Sequence, residues 1–249
     1  AMVVKTLRTP PSLLSLDWQI EPVGERCLLI RLGQRVDPAT SRVVHAVTAH
    51  LMDHRPPGVV DVVPSFTTVA VHFHPAAYAR RRGLPSIQLT RQIERILGRG
   101  VPALPATGRV VEIPACYGGE FGPDLDDVAR QCRLAPDEVI ALHVQQPLTL
   151  YAFFFSPGNP FAGPLDNRLH VPRRSTPRTR VEAGSVAIAN GISSIYQTAS
   201  PGGWNVIART PWNLFDVRRQ PPTRLQMGDL IQFRAISAEE FHDTLEARS

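Results

Sequence analysis

The spacing of apolar and polar positions changes period several times along the chain, and each change marks an element. Between Trp18 and Leu32, Leu28, Ile30 and Leu32 alternate with Leu29 and Arg31 around a Pro-Val-Gly turn, which predicts a strand pair. From Pro38 to Leu51 the spacing becomes helical, with Val43, Val44, Val47 and Leu51 on one apolar face. Pro56, Pro57 and Gly58 stop that helix. Val59 to Phe73 returns to alternation, with Val69, Val71 and Phe73 on one side. Leu89, Ile93, Ile96 and Leu97 then mark a second helix, ended by Gly98 and Gly100. Residues 1–100 thus read as a small α+β domain.

Residues 101–108, rich in Pro, Ala and Gly, read as a linker. A strand at Arg109–Ile113 follows, then a glycine turn and a short helix, Asp124–Arg133. Asp124, Asp126 and Asp127 crowd its first turn, where the helix dipole favours negative charge. Pro136 opens a further helix that ends near His143. Beyond Thr149 the pattern is short strands divided by Pro and Gly: Val181–Ala189, Ser194–Gln197, Trp204–Arg209 and Leu230–Arg234. That rhythm predicts a barrel or sandwich over residues 109–249.

Composition narrows the class. At 43% hydrophobic and 20% charged, the chain has a globular rather than a disordered or fibrous balance. No apolar run is long enough to span a membrane, and Lys5, Arg8, Pro10, Pro11 and Asp17 break up the N-terminal stretch, so neither membrane association nor a leader is expected. Three cysteines, Cys27, Cys116 and Cys132, without a C-x-x-C argue against a disulfide framework and for the cytoplasm. The net charge of +5 is arginine's, since Lys5 is the only lysine. Its short clusters, Arg80–Arg82, Arg173–Arg174 and Arg218–Arg219, come with no recognition motif, so nucleic acid is not expected as a partner. His72 with His74, and His50 with His54, have spacings that metals use, but no third ligand is indicated and no metal is expected.

The stretch Cys116-Tyr-Gly-Gly-Glu-Phe-Gly-Pro-Asp-Leu-Asp-Asp-Val-Ala129 resembles the YGGE-GPDL--VA signature of a known family. That family holds the B component of 5-oxoprolinase, allophanate hydrolase subunit 1 and the kinase inhibitor KipI. Three further stretches resemble it in order. They are Pro157–Gly158, the run Pro172 to Val186 with its Pro-Arg-Arg and Thr-Pro-Arg, and Ser200-Pro-Gly-Gly-Trp204 followed by Arg209-Thr-Pro211 and Leu214-Phe-Asp216. The resemblance covers roughly residues 15 to 236. It implies an α+β N-terminal domain followed by a mainly-β cyclophilin-like barrel, and a KipA-type large subunit as partner in a hetero-oligomer. It implies ATP-dependent opening of 5-oxoproline or a related amide, with ATP and Mg²⁺ shared with that partner. A second reading is a KipI-like inhibitor that binds a sensor histidine kinase. The likeness to cyclophilin does not extend to prolyl isomerisation, for which the catalytic neighbourhood is missing.

Opening an unstrained lactam by phosphorylating its carbonyl oxygen needs cations around phosphate and carboxylate, and donors aimed at developing oxyanions. Arg173, Arg174 and Arg178 supply planar guanidinium forks on a proline-bent segment. Backbone amides near Gly202 and Gly203 are candidates for an anion nest, and Glu120 and Asp124 for holding Mg²⁺ or orienting water. Pro157, Gly158, Thr176, Ser200 and Trp204 complete the ligand-binding candidates, by their place in the matching segments. The same residues also read structurally: arginines paired with acids, glycines that permit turns, acids that cap a helix. No P-loop and no dinucleotide fingerprint occurs.

Departures from the family pattern cluster in two loops. Phe154 stands for a glycine, Asn159 for an aromatic residue, Ala162 for a leucine and Pro164 for a glycine. Farther on, Ile192 stands for a glutamine and Ser194 for a glycine. With the scaffold motifs kept and these loops altered, the expectation is a changed substrate or a member that only binds.

Overall fold

The computed structural model describes residues 12–79, 82–105 and 108–246. They fall into two units, and the chain passes from one to the other at residues 106 and 107. The first unit is a four-stranded antiparallel sheet with two helices. Its strands are β1 (Gln19–Pro22), β2 (Cys27–Arg31), β3 (Val59–Ser65) and β4 (Thr68–Phe73), in the order β1-β2-β4-β3. Alternation points Leu28 and Ile30 of β2, and Val69, Val71 and Phe73 of β4, to one buried face. Helix α1 (Pro38–Asp53) covers it with Val44, Val47 and Leu51, and α2 (Pro85–Gly98) with Leu89, Ile93 and Leu97. Both helices begin with proline, whose missing N–H has no partner at a first turn anyway. Asp37 caps α1 by accepting from the Thr40 N–H at 2.8 Å.

The second unit is a closed seven-stranded barrel flanked by helices. Its strands are β5 (Val110–Tyr117), β6 (Leu148–Phe153), β7 (Pro160–Gly163), β9 (Ser185–Ala189), β10 (Ile192–Ile195), β12 (Asn205–Arg209) and β13 (Leu230–Ile236). A separate ribbon pairs β8 (Arg178–Val181) with β11 (Ser200–Gly202). Around the barrel the order is β10-β7-β6-β13-β5-β12-β9, so β10 and β9 pair to close it. Among the described residues only β5 and β13 pair in parallel; they are the first and last of these barrel strands in chain order. Ile113, Leu148, Leu150, Val186, Ile188, Ile207 and Phe233 fill the interior. Helices α3 (Leu125–Cys132) and α4 (Pro136–Val144) pack against this core, and α5 (Ala238–Glu246) lies against β5 through Phe241.

The stretch expected as one strand, Val181–Ala189, is two, because residues 182–184 turn between β8 and β9 and Gly184 sits at φ +85°. Strands β6 and β7 and helix α5 were not expected. Arg80 and Arg81 of the first basic cluster lie outside the described residues.

Candidate functional site

Two features of the barrel unit meet on residues 172–180. The first is a charge knot around Asp124, the residue before α3. Its side chain is 4% exposed, and both oxygens are engaged. Oδ1 accepts from Arg174 Nη1 at 2.6 Å and Arg178 Nη2 at 2.7 Å. Oδ2 accepts from Arg178 Nη1 at 2.6 Å and the Val206 N–H at 2.7 Å. The Asp124 N–H returns a bond to the Val206 carbonyl at 2.9 Å. One carboxylate thus ties α3, the arginine segment and β12 together. The Gly-Gly turn before it depends on a bare α-carbon at Gly122, where a Cβ would lie 1.9 Å from the Ile207 carbonyl oxygen. Asp124 therefore has no lone pair facing outward for a metal or a water. Arg174 and Arg178 are committed to it, and the bond with Asp124 raises the basicity of Arg178 further.

The second feature is a pocket of about 320 Å³, within the range of small-molecule sites. Phe155, Phe161 and Trp204 form its aromatic wall, with Phe161 edge-on to Trp204 at 5.4 Å. Phe155 is 83% exposed and holds φ +68°, a left-handed conformation that costs energy for an aromatic residue. The polar wall is Asn159, Ser194, Tyr196, Gln197, Ser200 and Arg173. Asn159 and Ser194 are both buried, and the Ser194 hydroxyl donates to Asn159 Oδ1 at 3.3 Å. Gln197 accepts from the Leu214 N–H at 2.8 Å through Oε1, while its Nε2 is buried without a partner among the described residues. Burial raises the Tyr196 phenol above its usual range, against the Trp204 amide and the guanidiniums of Arg173 and Arg178, which pull the other way. A Cβ on Gly202 would fall 2.2 Å from the Tyr196 hydroxyl, so glycine there is what lets the phenol lie against β11.

Charge in this pocket has one sign. None of the lining residues is acidic, and Arg173 takes no carboxylate partner among the described residues. Such a wall suits a small anion with amide or carbonyl groups. It does not suit Mg²⁺, which prefers carboxylate oxygens. Among the described residues no three His, Cys, Asp or Glu side chains cluster closely enough to hold a metal.

The sequence candidates therefore divide. Arg173, Ser200, Gly202, Gly203 and Trp204 come together on the pocket. Arg174, Arg178 and Asp124 form the knot beside it. Glu120 is exposed on the turn after β5, and Thr176 is exposed between the two arginines of the knot. Pro157 and Gly158 lie in the loop before β7 but not on the pocket wall, and Gly158 packs against Phe215, whose Cβ a side chain there would meet at 2.8 Å. Tyr196 and Gln197 were missed. Tyr196 follows Ser194 by two residues, one position past the end of β10, so the alternation of that strand carried on by one residue places it on the same side, and that spacing was the available signal.

A separate polar relay crosses the barrel interior. His143 is fully buried, with Nδ1 2.6 Å from the Tyr117 hydroxyl and Nε2 2.9 Å from the Ser193 hydroxyl, and its ring stacks on Phe233 at 4.4 Å. Burial pushes its pKa down to about 3, so the imidazole is neutral, and burial pushes the Tyr117 phenol upward.

No helix among the described residues is long and apolar enough to cross a membrane. Residues 18–225 match the family described as carboxyltransferase domain, subdomain C and D. Over 235 residues the chain is 36% identical to the B component of 5-oxoprolinase from Bacillus subtilis, covering 92% of this chain and 97% of that protein. Among solved structures it is similar to TTHA0988, at 32% identity and a TM-score of 0.73, over 86% of this chain and 40% of that one. The Kluyveromyces lactis urea amidolyase shares the fold at 17% identity and a TM-score of 0.74, over 96% of this chain and 16% of the amidolyase. The chain therefore belongs to the carboxyltransferase subdomain C and D family, the group of the 5-oxoprolinase B component and allophanate hydrolase subunit 1.

Proposed function

We propose that the chain is the small subunit of a two-part, ATP-dependent 5-oxoprolinase-type hydrolase, acting with a KipA-type large subunit, and that the barrel pocket binds the substrate. The observation that carries this reading is the likeness to the B component of 5-oxoprolinase over nearly the whole of both chains. The pocket chemistry supports it. A 5-oxoproline anion offers a carboxylate, which Arg173 would take, and a lactam, which the amides of Asn159 and Gln197 and the hydroxyl of Ser194 would meet. The aromatic wall would pack the ring and exclude water. Arg174 and Arg178 position this segment through Asp124, and Arg173 is the residue that touches ligand. The polar Asn159–Ser194 pair favours a substrate with more hydrogen-bonding groups on that side than an apolar wall would accept. ATP enters as the coupling reagent. With no acid on this wall, Mg²⁺ would have to be held by the nucleotide and the partner.

The test is co-purification with a KipA-type protein from the same organism, followed by ATP turnover with and without 5-oxoproline. The expected result is a stable complex whose ATP hydrolysis depends on 5-oxoproline or a close amide relative. A complex with no turnover on any cyclic or linear amide acid would overturn the hydrolase reading, and failure to associate would overturn the two-part reading.

A further inference from the structure

A second cleft, of about 380 Å³, opens in the N-terminal unit, where the ends of α1 and α2 approach the loop before β3. Its rim holds His54, Arg55, Arg95 and Arg99, and no residue lining it is acidic. None of the three arginines pairs with a carboxylate among the described residues. Two of them are aimed by the backbone. Arg55 donates through Nε to the Val59 carbonyl at 2.8 Å and through Nη2 to the Val60 carbonyl. Arg95 donates through Nε to the Arg91 carbonyl at 3.1 Å, which leaves both of its terminal nitrogens without a partner among the described residues. The C-terminal ends of α1 and α2 supply partial negative charge here, about half an elementary charge each, which attracts guanidiniums but does not neutralise three of them. The floor is apolar: Pro56 and Tyr78 are buried, and the Tyr78 hydroxyl is turned away to the Pro57 carbonyl at 2.7 Å.

We infer that this cleft is a binding site for a phosphate-bearing small molecule, with the phosphate between Arg55, Arg95 and Arg99 and a planar or apolar portion on the Pro56–Tyr78 floor. Guanidiniums that are fixed by carbonyls yet lack an acid are preorganised donors for a multiply charged oxyanion. Most other arginines of this chain that hold a fixed geometry do so against a carboxylate, as at Arg109, Arg168, Arg178 and Arg218. The site is separate from the barrel pocket and does not rest on the function proposed for it.

The experiment is calorimetric titration of the full chain with ADP, pyrophosphate and adenosine as probes. Saturable binding of ADP and pyrophosphate is expected, ADP the tighter, with none for adenosine. The double variant R95A/R99A should weaken ADP binding by about tenfold or more, because two charge-assisted contacts are lost. R173A, in the barrel pocket, should leave it unchanged. The single variant R99E, at an exposed position, reads the same loss if the double variant melts early. Absence of saturable binding by both charged probes overturns the inference. So does ADP binding that survives R95A/R99A and R99E, or that R173A alone abolishes.

Discussion

Within six residues, the arginines of one segment meet opposite fates. Arg174 and Arg178 are half-buried and share a single carboxylate whose every oxygen is engaged. Arg173 faces a pocket with no acid in it. The knot is a structural device: it fixes the segment, and its charges are paired inside the fold, although the buried Nε of Arg174 takes no partner among the described residues. The pocket is the reverse, with a guanidinium on Arg173 and a buried amide nitrogen on Gln197 that take no partner among the described residues. A run of like residues is therefore no guide to function until their partners are known, and unanswered polar groups mark a site better than charged ones do.

The sharpest way to break this comparison is to remove Asp124. D124A leaves two partly buried guanidiniums and the Val206 N–H without an acceptor, and breaking such a buried pair costs about 3–5 kcal/mol. Urea unfolding should show that loss, and D124N, which keeps the shape, a smaller one. If D124A unfolds at the wild-type midpoint, the knot is not structural and Asp124 returns to the list of free acids. Next in size is G122A, where the new methyl would press on the Ile207 carbonyl that the turn approaches. Overpacking of this kind costs about 3 kcal/mol at its upper end, and a shift of the urea midpoint measures it. A fully stable G122A would mean that the turn carrying the signature Gly-Gly-Glu can move away from β12.

His143 tests a third arrangement, a buried polar group that is satisfied but uncharged. Its folded pKa of about 3 lies below the ordinary 6.5, so between these values the unfolded chain binds a proton that the folded chain refuses. Stability from this group is whole above pH 6.5 and drains away as pH falls toward 3, by at most about 1.4 kcal/mol per pH unit. Denaturant midpoints between pH 7 and 4.5 should fall with that sign. H143Q, which cannot take up the proton, should flatten the slope, and an unchanged slope would assign the pH response to other groups.

Much of the fold was legible because its elements obey one period at a time. Helices α1 and α2 carry a single apolar stripe, with prolines and an aspartate at their starts. Strands β2 and β4 are buried on one face only, so they alternate. In the barrel that signal fades: all four residues of β7 are buried, and a strand covered on both sides has no polar positions to set a period. The parallel pairing of β5 with β13 joins residues about 120 apart, a distance over which no local pattern carries. The site was half legible for the same reason. The Ser200 to Trp204 segment stood out through its resemblance to the family pattern, whereas the commitment of Arg174 and Arg178 depends on an acid some 50 residues away.

The smallest effect on stability should come from the residue with the largest effect on binding. Arg173 is exposed and makes no ion pair among the described residues, so R173A should move the unfolding midpoint by no more than about 0.5 kcal/mol, as surface changes usually do. Its loss should nevertheless weaken binding of a carboxylate ligand in the barrel pocket by about tenfold, the worth of one charge-assisted contact. R173K, which keeps the charge but not the fork, should recover part of the affinity. Arg174→Ala gives the opposite signature, a stability loss from the knot with the pocket's free guanidinium intact. If both variants lose stability alike, or both lose ligand alike, the segment acts as one unit and the division between knot and pocket falls. If the two losses separate, adjacent arginines on one proline-bent segment divide folding and recognition between them.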